Sequence, residues 1–234
     1  WVAVYDAYGG NDEPIDTVAS QLRSLGQKSA FDPLRIRQVP SAEDYQRCEE
    51  AGTDLGQLLT REKTIAAMKA LDGDLDKALG RLSGGLYVVT ARQSDAEGGS
   101  RSGAMVASWV SQASFEPPGI TVAVAKDRAI EALMQVGDRF VLNILRDDNH
   151  QTLLRHFLKR FPPGADRFAG VNTLDGVASG GPVLGDALAY LGCRVAQRME
   201  GPDHWIIYAV VEQGNVADTE ASTAVHHRKV GNHY

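Results

Sequence analysis

The stretch Gly103–Lys126, GAMVASWVSQASFEPPGITVAVAK, constrains the fold more than any other part of the chain. Two runs rich in Val, Ile, Trp, Phe and Thr flank Glu116-Pro117-Pro118-Gly119, which predicts two strands joined by a turn or corner. Alternation in the first run puts Ala104, Val106, Ser108 and Val110 on one face, and Met105, Ala107, Trp109 and Ser111 on the other. Such small residues let a flat ring approach the main chain. Lys126-Asp127-Arg128 then leads into a helical pattern, Ala129 to Met134, so two cations stand near a helix N-terminus. That is a candidate phosphate seat. On composition alone, the same residues also describe a buried hairpin with ordinary surface charges.

Upstream, the pattern is different. Val2 to Tyr5 is a continuous apolar run of the kind buried in a parallel sheet, and it ends in the loop Asp6-Ala7-Tyr8-Gly9-Gly10-Asn11. A helix follows with Ile15, Val18, Leu22 and Leu25 as its apolar stripe and Gly26 as its release. Leu34 to Val39 then alternates as a strand, and Ala42 to Leu59 reads as a second amphipathic helix. The order β-α-β-α belongs to a doubly wound sheet, yet four elements cannot cover both faces of one. The missing half is therefore expected upstream, and Trp1, entering an apolar run with no Met, reads as the start of a fragment.

A polar, basic connection with partial helical character, Leu59 to Ala70, puts a domain boundary near Thr60, giving domains 1–60 and 61–234. Beyond it come a short helix (Leu75 to Leu82), a strand (Leu86 to Ala91), a glycine-rich hairpin loop (Ser94 to Ser102) and a strand (Phe140 to Leu145). A helix from His150 to Arg160 turns Leu153, Leu154, Phe157 and Leu158 inward, and two strands, Ala189 to Met199 and His204 to Glu212, follow. Many short strands with a few helices fit a closed or partly closed antiparallel barrel. The fold class is thus an α/β fragment followed by a mainly β barrel.

A net charge of -6 and 43% hydrophobic content exclude a disordered chain and any overall attraction to nucleic acid. No apolar run approaches the ~20 residues of a membrane span, and no signal-peptide pattern opens the chain, so a cytoplasmic location is expected. Cys48 and Cys193 are isolated and read as buried free thiols in a reduced compartment. Neither G-x-G-x-x-G nor a P-loop occurs. His226-His227 with His233 lacks a carboxylate at ligand spacing and reads as a solvated tail, so no metal site is expected.

The run ASWVSQASFEPPGITVAVAKDRAIEAL resembles the signature of the flavin reductase-like, FMN-binding split-barrel family. FVLNIL, LLRHFLKRF, DRFAGV, GGPVL, ALAYLGCRV and GPDHWIIYAVVEQG follow in matching order, covering roughly Thr64 to Tyr234. The N-terminal segment is similar to the last part of a flavodoxin-like domain, with Tyr8 as its one stacking candidate. Together with the ending VHHRKVGNHY, this arrangement resembles the C-terminal part of the flavodiiron proteins of oxygenic phototrophs.

The resemblance implies FMN as cofactor, NADH or NADPH as electron donor, and hydride transfer whose reactivity comes from the cofactors. It implies main-chain contacts along the flavin ring at Val106, Ala107, Ser108 and Trp109, and Ser111 near the ribityl chain. Lys126 and Arg128 would meet the phosphate, Arg228 and Tyr234 would line the same pocket, and His204, after Asp203, would flank the nicotinamide. Electrons would pass to a diiron centre in an upstream domain that reduces oxygen to water; nothing like H-x-H-x-D-H occurs in this chain. A homo-dimer or hetero-oligomer is expected. Two other readings stay open: a free flavin reductase serving a monooxygenase, and a non-catalytic barrel that holds FMN or haem.

Overall fold

The computed structural model describes residues 1–9, 13–69, 73–94, 98–174 and 176–229, with only the backbone of residues 13 and 61–69. The chain divides into two compact units, one of Trp1–Thr64, Ser94–Arg101 and Phe161–Ala165, the other of Ile65–Gln93, Ser102–Arg160 and Asp166–Tyr234.

In the first unit, β1 (Tyr5–Tyr8), α1 (Glu13–Ser24) and β2 (Leu34–Arg37) are followed by α2 (Ala42–Lys69), whose residues 65–69 fall in the second unit. The β1–β2 pair is parallel, as the β-α-β-α order requires. Val2 to Tyr5 contributes an isolated bridge at Val2 and the first residue of β1, so the strand begins later than the apolar run predicts. On α1, Ile15 and Ala19 are buried while Val18 is exposed, as is Leu25 just past its end. A two-stranded sheet is too narrow to cover the wider stripe. The helix α2 runs on past Leu59 and through Thr60 without interruption, because nothing in this segment breaks a helix: it holds no proline, and its glycines precede residue 57. Ser41 caps α2 through its Oγ, which accepts the Asp44 N–H. Within this unit the buried Glu50 accepts the Gly164 N–H at 2.7 Å, and Glu43 accepts that of Ser100 at 3.0 Å.

After the end of α2, the second unit continues with α3 (Asp74–Leu79) and the two-residue β3 (Gly84–Gly85). Then come β4 (Tyr87–Ser94), β5 (Ser100–Ala107), β6 (Val110–Phe115), β7 (Pro118–Ala125), β8 (Arg139–Ile144) and α4 (His150–Leu158). The short pair β9 (Thr173–Leu174) and β10 (Val183–Leu184) precedes β11 (Ala189–Glu200), β12 (His204–Val216) and β13 (Val225–His226). Seven strands form one sheet in the order β5-β4-β8-β11-β12-β7-β6.

That order closes the barrel. β5 and β6 are the two edges of the sheet, yet only Ser108 and Trp109 separate them in the chain. Two residues span too little distance to cross seven strands, so the sheet must curl until its edges meet. The continuous run read from Gly103 onward therefore bends at Ser108-Trp109, and its alternation does not carry across that corner. The second bend is a tight hairpin at Glu116-Pro117; Pro118 and Gly119 already belong to β7. A Cβ at Gly119 would stand 2.5 Å from the Ser114 Oγ and 2.7 Å from the Tyr208 ring, so only glycine lets the hairpin close on β12.

Two apolar clusters hold this unit. Val89, Met105, Ala107, Val122, Val124, Phe140, Leu142, Val195 and Ile207 form one, and Leu86, Val88, Leu145, Leu153, Phe157, Phe168 and Leu184 the other. Val88 and Val89 are both fully buried, so β4 is covered on both faces. On α4, Leu153 and Phe157 are buried but Leu158 is 65% exposed. The helix ends there, and its core-facing stripe is narrower than the inward set Leu153, Leu154, Phe157 and Leu158. Between the clusters, Asn143 donates to the Val88 carbonyl at 3.1 Å and accepts the Leu184 N–H at 2.8 Å, so its buried amide is matched. Cys193 is buried and Cys48 is exposed, so only one of the two thiols is buried as expected. No described helix is long and apolar enough to cross a membrane.

Candidate functional site

A cavity of about 490 Å³ opens at the Ser108-Trp109 corner. Ser108, Trp109, Val110 and Ser111 line one side, and Thr121, Ala123 and Ile206 supply the β7–β12 wall. Leu79, Leu82, Ser83 and Gly84 close it from the α3–β3 connection, and His226 and Arg228 from the C-terminal segment. The wall is built by register, since Ile206 pairs with Ala123 and the Trp109 carbonyl accepts the Ala123 N–H at 3.0 Å.

β3 and β13 bring the start of the barrel and the C-terminal segment to this place. Gly84 pairs with His226 and Gly85 with Val225 in an antiparallel bridge. A Cβ on Gly84 would stand 2.3 Å from the Ser108 carbonyl oxygen, so glycine alone permits this approach. Beyond β13, the Arg228 guanidinium donates to the Leu79 and Leu82 carbonyls, both at 3.4 Å, and lies 5.2 Å from the centre of a Trp109 ring.

Of the residues singled out in the sequence, Ser108, Trp109, Ser111 and Arg228 meet at this cavity. Val106 and Ala107 precede it on β5, but their side chains pack into the second and first apolar clusters respectively. Neither residue lines the cavity. His204 does not line the cavity; its ring packs against Trp109 with centroids 4.9 Å apart. Its Nδ1 bonds the Asp203 carboxylate at 2.9 Å, a hydrogen bond that holds Asp203 below the usual carboxylate range.

Lys126 and Arg128 stand elsewhere. Lys126 reaches Glu200 at 2.6 Å and lies over the Trp205 ring, and the ion pair pulls the Glu200 carboxyl below its ordinary range. Arg128 pairs with Asp127 at 3.7 Å in solvent. The segment after them is a five-residue 3₁₀ helix, Ala129–Leu133, shorter than the helix read from the pattern. Tyr234, Gly10, Asn11 and His233 lie outside the described residues.

Sequence reasoning set His226 aside as part of a solvated tail. The structure instead turns it into the cavity, with its Nε2 buried and without a hydrogen-bond partner among the described residues. Burial first, then the charges of Arg228 and His227, push its pKa below the ordinary 6.5. Ser108 Oγ, in a residue 4% exposed, is likewise buried and unpartnered. Gly84, whose role needs a partner far along the chain, was also missed. Among the described residues no cluster of His, Cys, Asp and Glu could hold a metal.

The sequence profile of the flavin reductase like domain matches residues 79–232. The chain belongs to that family. All cavity-lining residues fall within the matched span. Diflavin flavoprotein A 3 of Nostoc sp. (strain PCC 7120) is 60% identical over 233 residues, covering 100% of this chain and 40% of that protein. Diflavin flavoprotein A 1 of Synechocystis sp. (strain PCC 6803) is 60% identical over 231 residues, covering 99% of this chain and 39% of that one. The chain thus spans about 40% of the length of these relatives. Among solved structures, the NADH:FAD oxidoreductase of Streptomyces globisporus C-1027 superposes with a TM-score of 0.56 at 26% identity, covering 64% of this chain and 85% of that one.

The cavity suits the ligand a flavin reductase domain implies. Its volume falls in the range of small-molecule sites, roughly 300–1,000 Å³. Its walls are mostly apolar, as a flat tricyclic ring needs, and two buried polar atoms wait for partners that the described residues do not supply.

Proposed function

We propose that this chain is an NAD(P)H:flavin oxidoreductase module with FMN in the cavity at the Ser108-Trp109 corner. The observation that carries the reading is this cavity, with its unpartnered Ser108 Oγ, inside a domain of the flavin reductase family. The bound flavin supplies the hydride-accepting chemistry, and reduced nicotinamide the hydride. The protein's own part is placement and exclusion of water. The main chain from Val106 to Trp109 and the Ser108 hydroxyl hold the ring's polar edge, and the absent side chain of Gly84 leaves the slot open. Ser111 and Thr121 present hydroxyls along the wall. Among the described residues Arg228 is the cation that lines the cavity, and we assign it the anionic part of a ligand in preference to Lys126 and Arg128. His204, braced by Asp203 and Trp109, flanks the donor.

The relatives' name, diflavin flavoprotein, and their greater length support a wider assignment. We take residues 1–60, with their parallel β1–β2 pair, as part of a flavodoxin-like domain, and the reductase module as the entry point for electrons bound for a diiron centre. NADH in the name of the Streptomyces reductase supports a nicotinamide donor.

The test is direct. The chain loaded with FMN is mixed anaerobically with NADH or NADPH while the absorbance of oxidised flavin is followed. Donor-dependent bleaching is expected. Tight FMN binding with no bleaching by either donor leaves a flavin-holding barrel and removes the reductase.

A further inference from the structure

Two residues that line the cavity from elements far apart in the chain, Ser108 at the β5–β6 corner and His226 on β13, each carry a buried polar atom, Oγ and Nε2, without a partner among the described residues. Gly84 ties them together: it is the register partner of His226, and its Cα lies so near the Ser108 carbonyl that no Cβ fits. A buried polar atom left unmatched destabilises a fold, so native structures keep one where a ligand completes it. Leu79, Leu82, Val110, Ala123 and Ile206 surround the pair with apolar surface. Such a setting selects a flat ring with one polar edge.

We infer that His226 is a flavin-binding residue, its Nε2 hydrogen-bonding the carbonyl–imide edge of the ring alongside Ser108 Oγ. The inference rests on the flavin reading of the cavity. A neutral imidazole nitrogen donates to a carbonyl or accepts from an imide N–H, and the edge of the ring offers both. Burial and then the neighbouring Arg228 and His227 favour the neutral imidazole, the form this role needs. The C-terminal segment then becomes part of the binding site, and the β3–β13 bridge is what brings it there.

The role and a structural one predict opposite effects. FMN is titrated into the full chain as wild type, His226→Leu, His226→Gln and Ser108→Ala, and each is unfolded in urea without FMN. For His226→Leu, the expected result is FMN affinity weaker by about 10- to 100-fold, with an unfolding midpoint equal to or above wild type. Leucine removes the unmatched atom from the free chain but cannot serve the ligand. His226→Gln should recover much of the affinity, and Ser108→Ala should weaken it. In the wild type, FMN should move the His226 Nε2 resonance in ¹⁵N NMR, a readout that needs no variant. FMN bound as tightly by His226→Leu as by wild type, or an unmoved resonance, would overturn the inference and leave the flavin reading intact. Loss of affinity together with loss of stability in both His226 variants would assign the residue to holding β13, and also overturn it. Failure of the wild type to bind FMN removes both.

Discussion

The Arg228 guanidinium lies 5.2 Å from the centre of a Trp109 ring, while its N–H groups reach the Leu79 and Leu82 carbonyls. Trp109, 38% exposed, also meets the His204 ring. One aromatic residue at the barrel's closing corner thus gathers the C-terminal segment, the end of α3 and the start of β12. Each contact is modest alone, about 0.5–1 kcal/mol for a cation over an exposed ring. Their convergence fixes the mouth of the cavity.

Arg228→Ala should therefore weaken FMN binding by about 2- to 5-fold. Arg228→Lys should restore only part of this, because a single ammonium cannot lie flat on the ring and reach two carbonyls at once. Fluorescence titration of FMN against the three proteins checks both statements.

Gly84→Ala would put a methyl 2.3 Å from the Ser108 carbonyl oxygen, far inside contact distance. The corner or the bridge must move. Overpacking of this kind costs about 1–3 kcal/mol, and FMN affinity should fall with it. Urea unfolding and FMN titration of the same preparation should both report loss.

His204→Ala should separate donor use from flavin binding, since His204 contacts Trp109 and Asp203 but does not line the cavity. Loss of one positioning contact lowers the donor's kcat/KM by roughly 5- to 150-fold, with FMN affinity little changed. Stopped-flow reduction by NADH and NADPH measures it. Equal reduction rates in the two proteins remove His204 from the donor site.

Stability should depend on pH through His226. Its pKa is held below the ordinary 6.5 in the folded chain by burial, Arg228 and His227. Its contribution is therefore fully present above about 6.5 and is lost as pH falls through the lower, folded value, where the unfolded chain already binds the proton. Thermal melts from about pH 8 to about pH 5 should show a larger loss for wild type than for His226→Gln. Parallel curves would place His226 in solvent.

Asn143→Ala should destabilise the barrel by about 2–4 kcal/mol, because it strands the buried Val88 carbonyl and Leu184 N–H together. Chemical denaturation in the absence of FMN checks this.

The amino-acid sequence by itself determined the elements of the barrel and the family. Alternation and composition are local, and they place β7, β8, β11 and β12 within a residue or a few of their observed bounds. The motif run from Ala107 to Leu133 carried the resemblance that the family match of residues 79–232 bears out. What only the tertiary structure decided is where the strands stop and which distant residues meet. The break at Ser108-Trp109 is imposed by closure of the sheet, not by any breaker in the sequence. Lys126 is drawn to Glu200, a partner 74 residues away, and Arg228 reaches a carbonyl 149 residues away. His226 enters the cavity because Gly84 pairs with it. A period of two tells a residue's face but not its partner; that choice belongs to long-range pairing, where the energy of the whole sheet overrides local pattern.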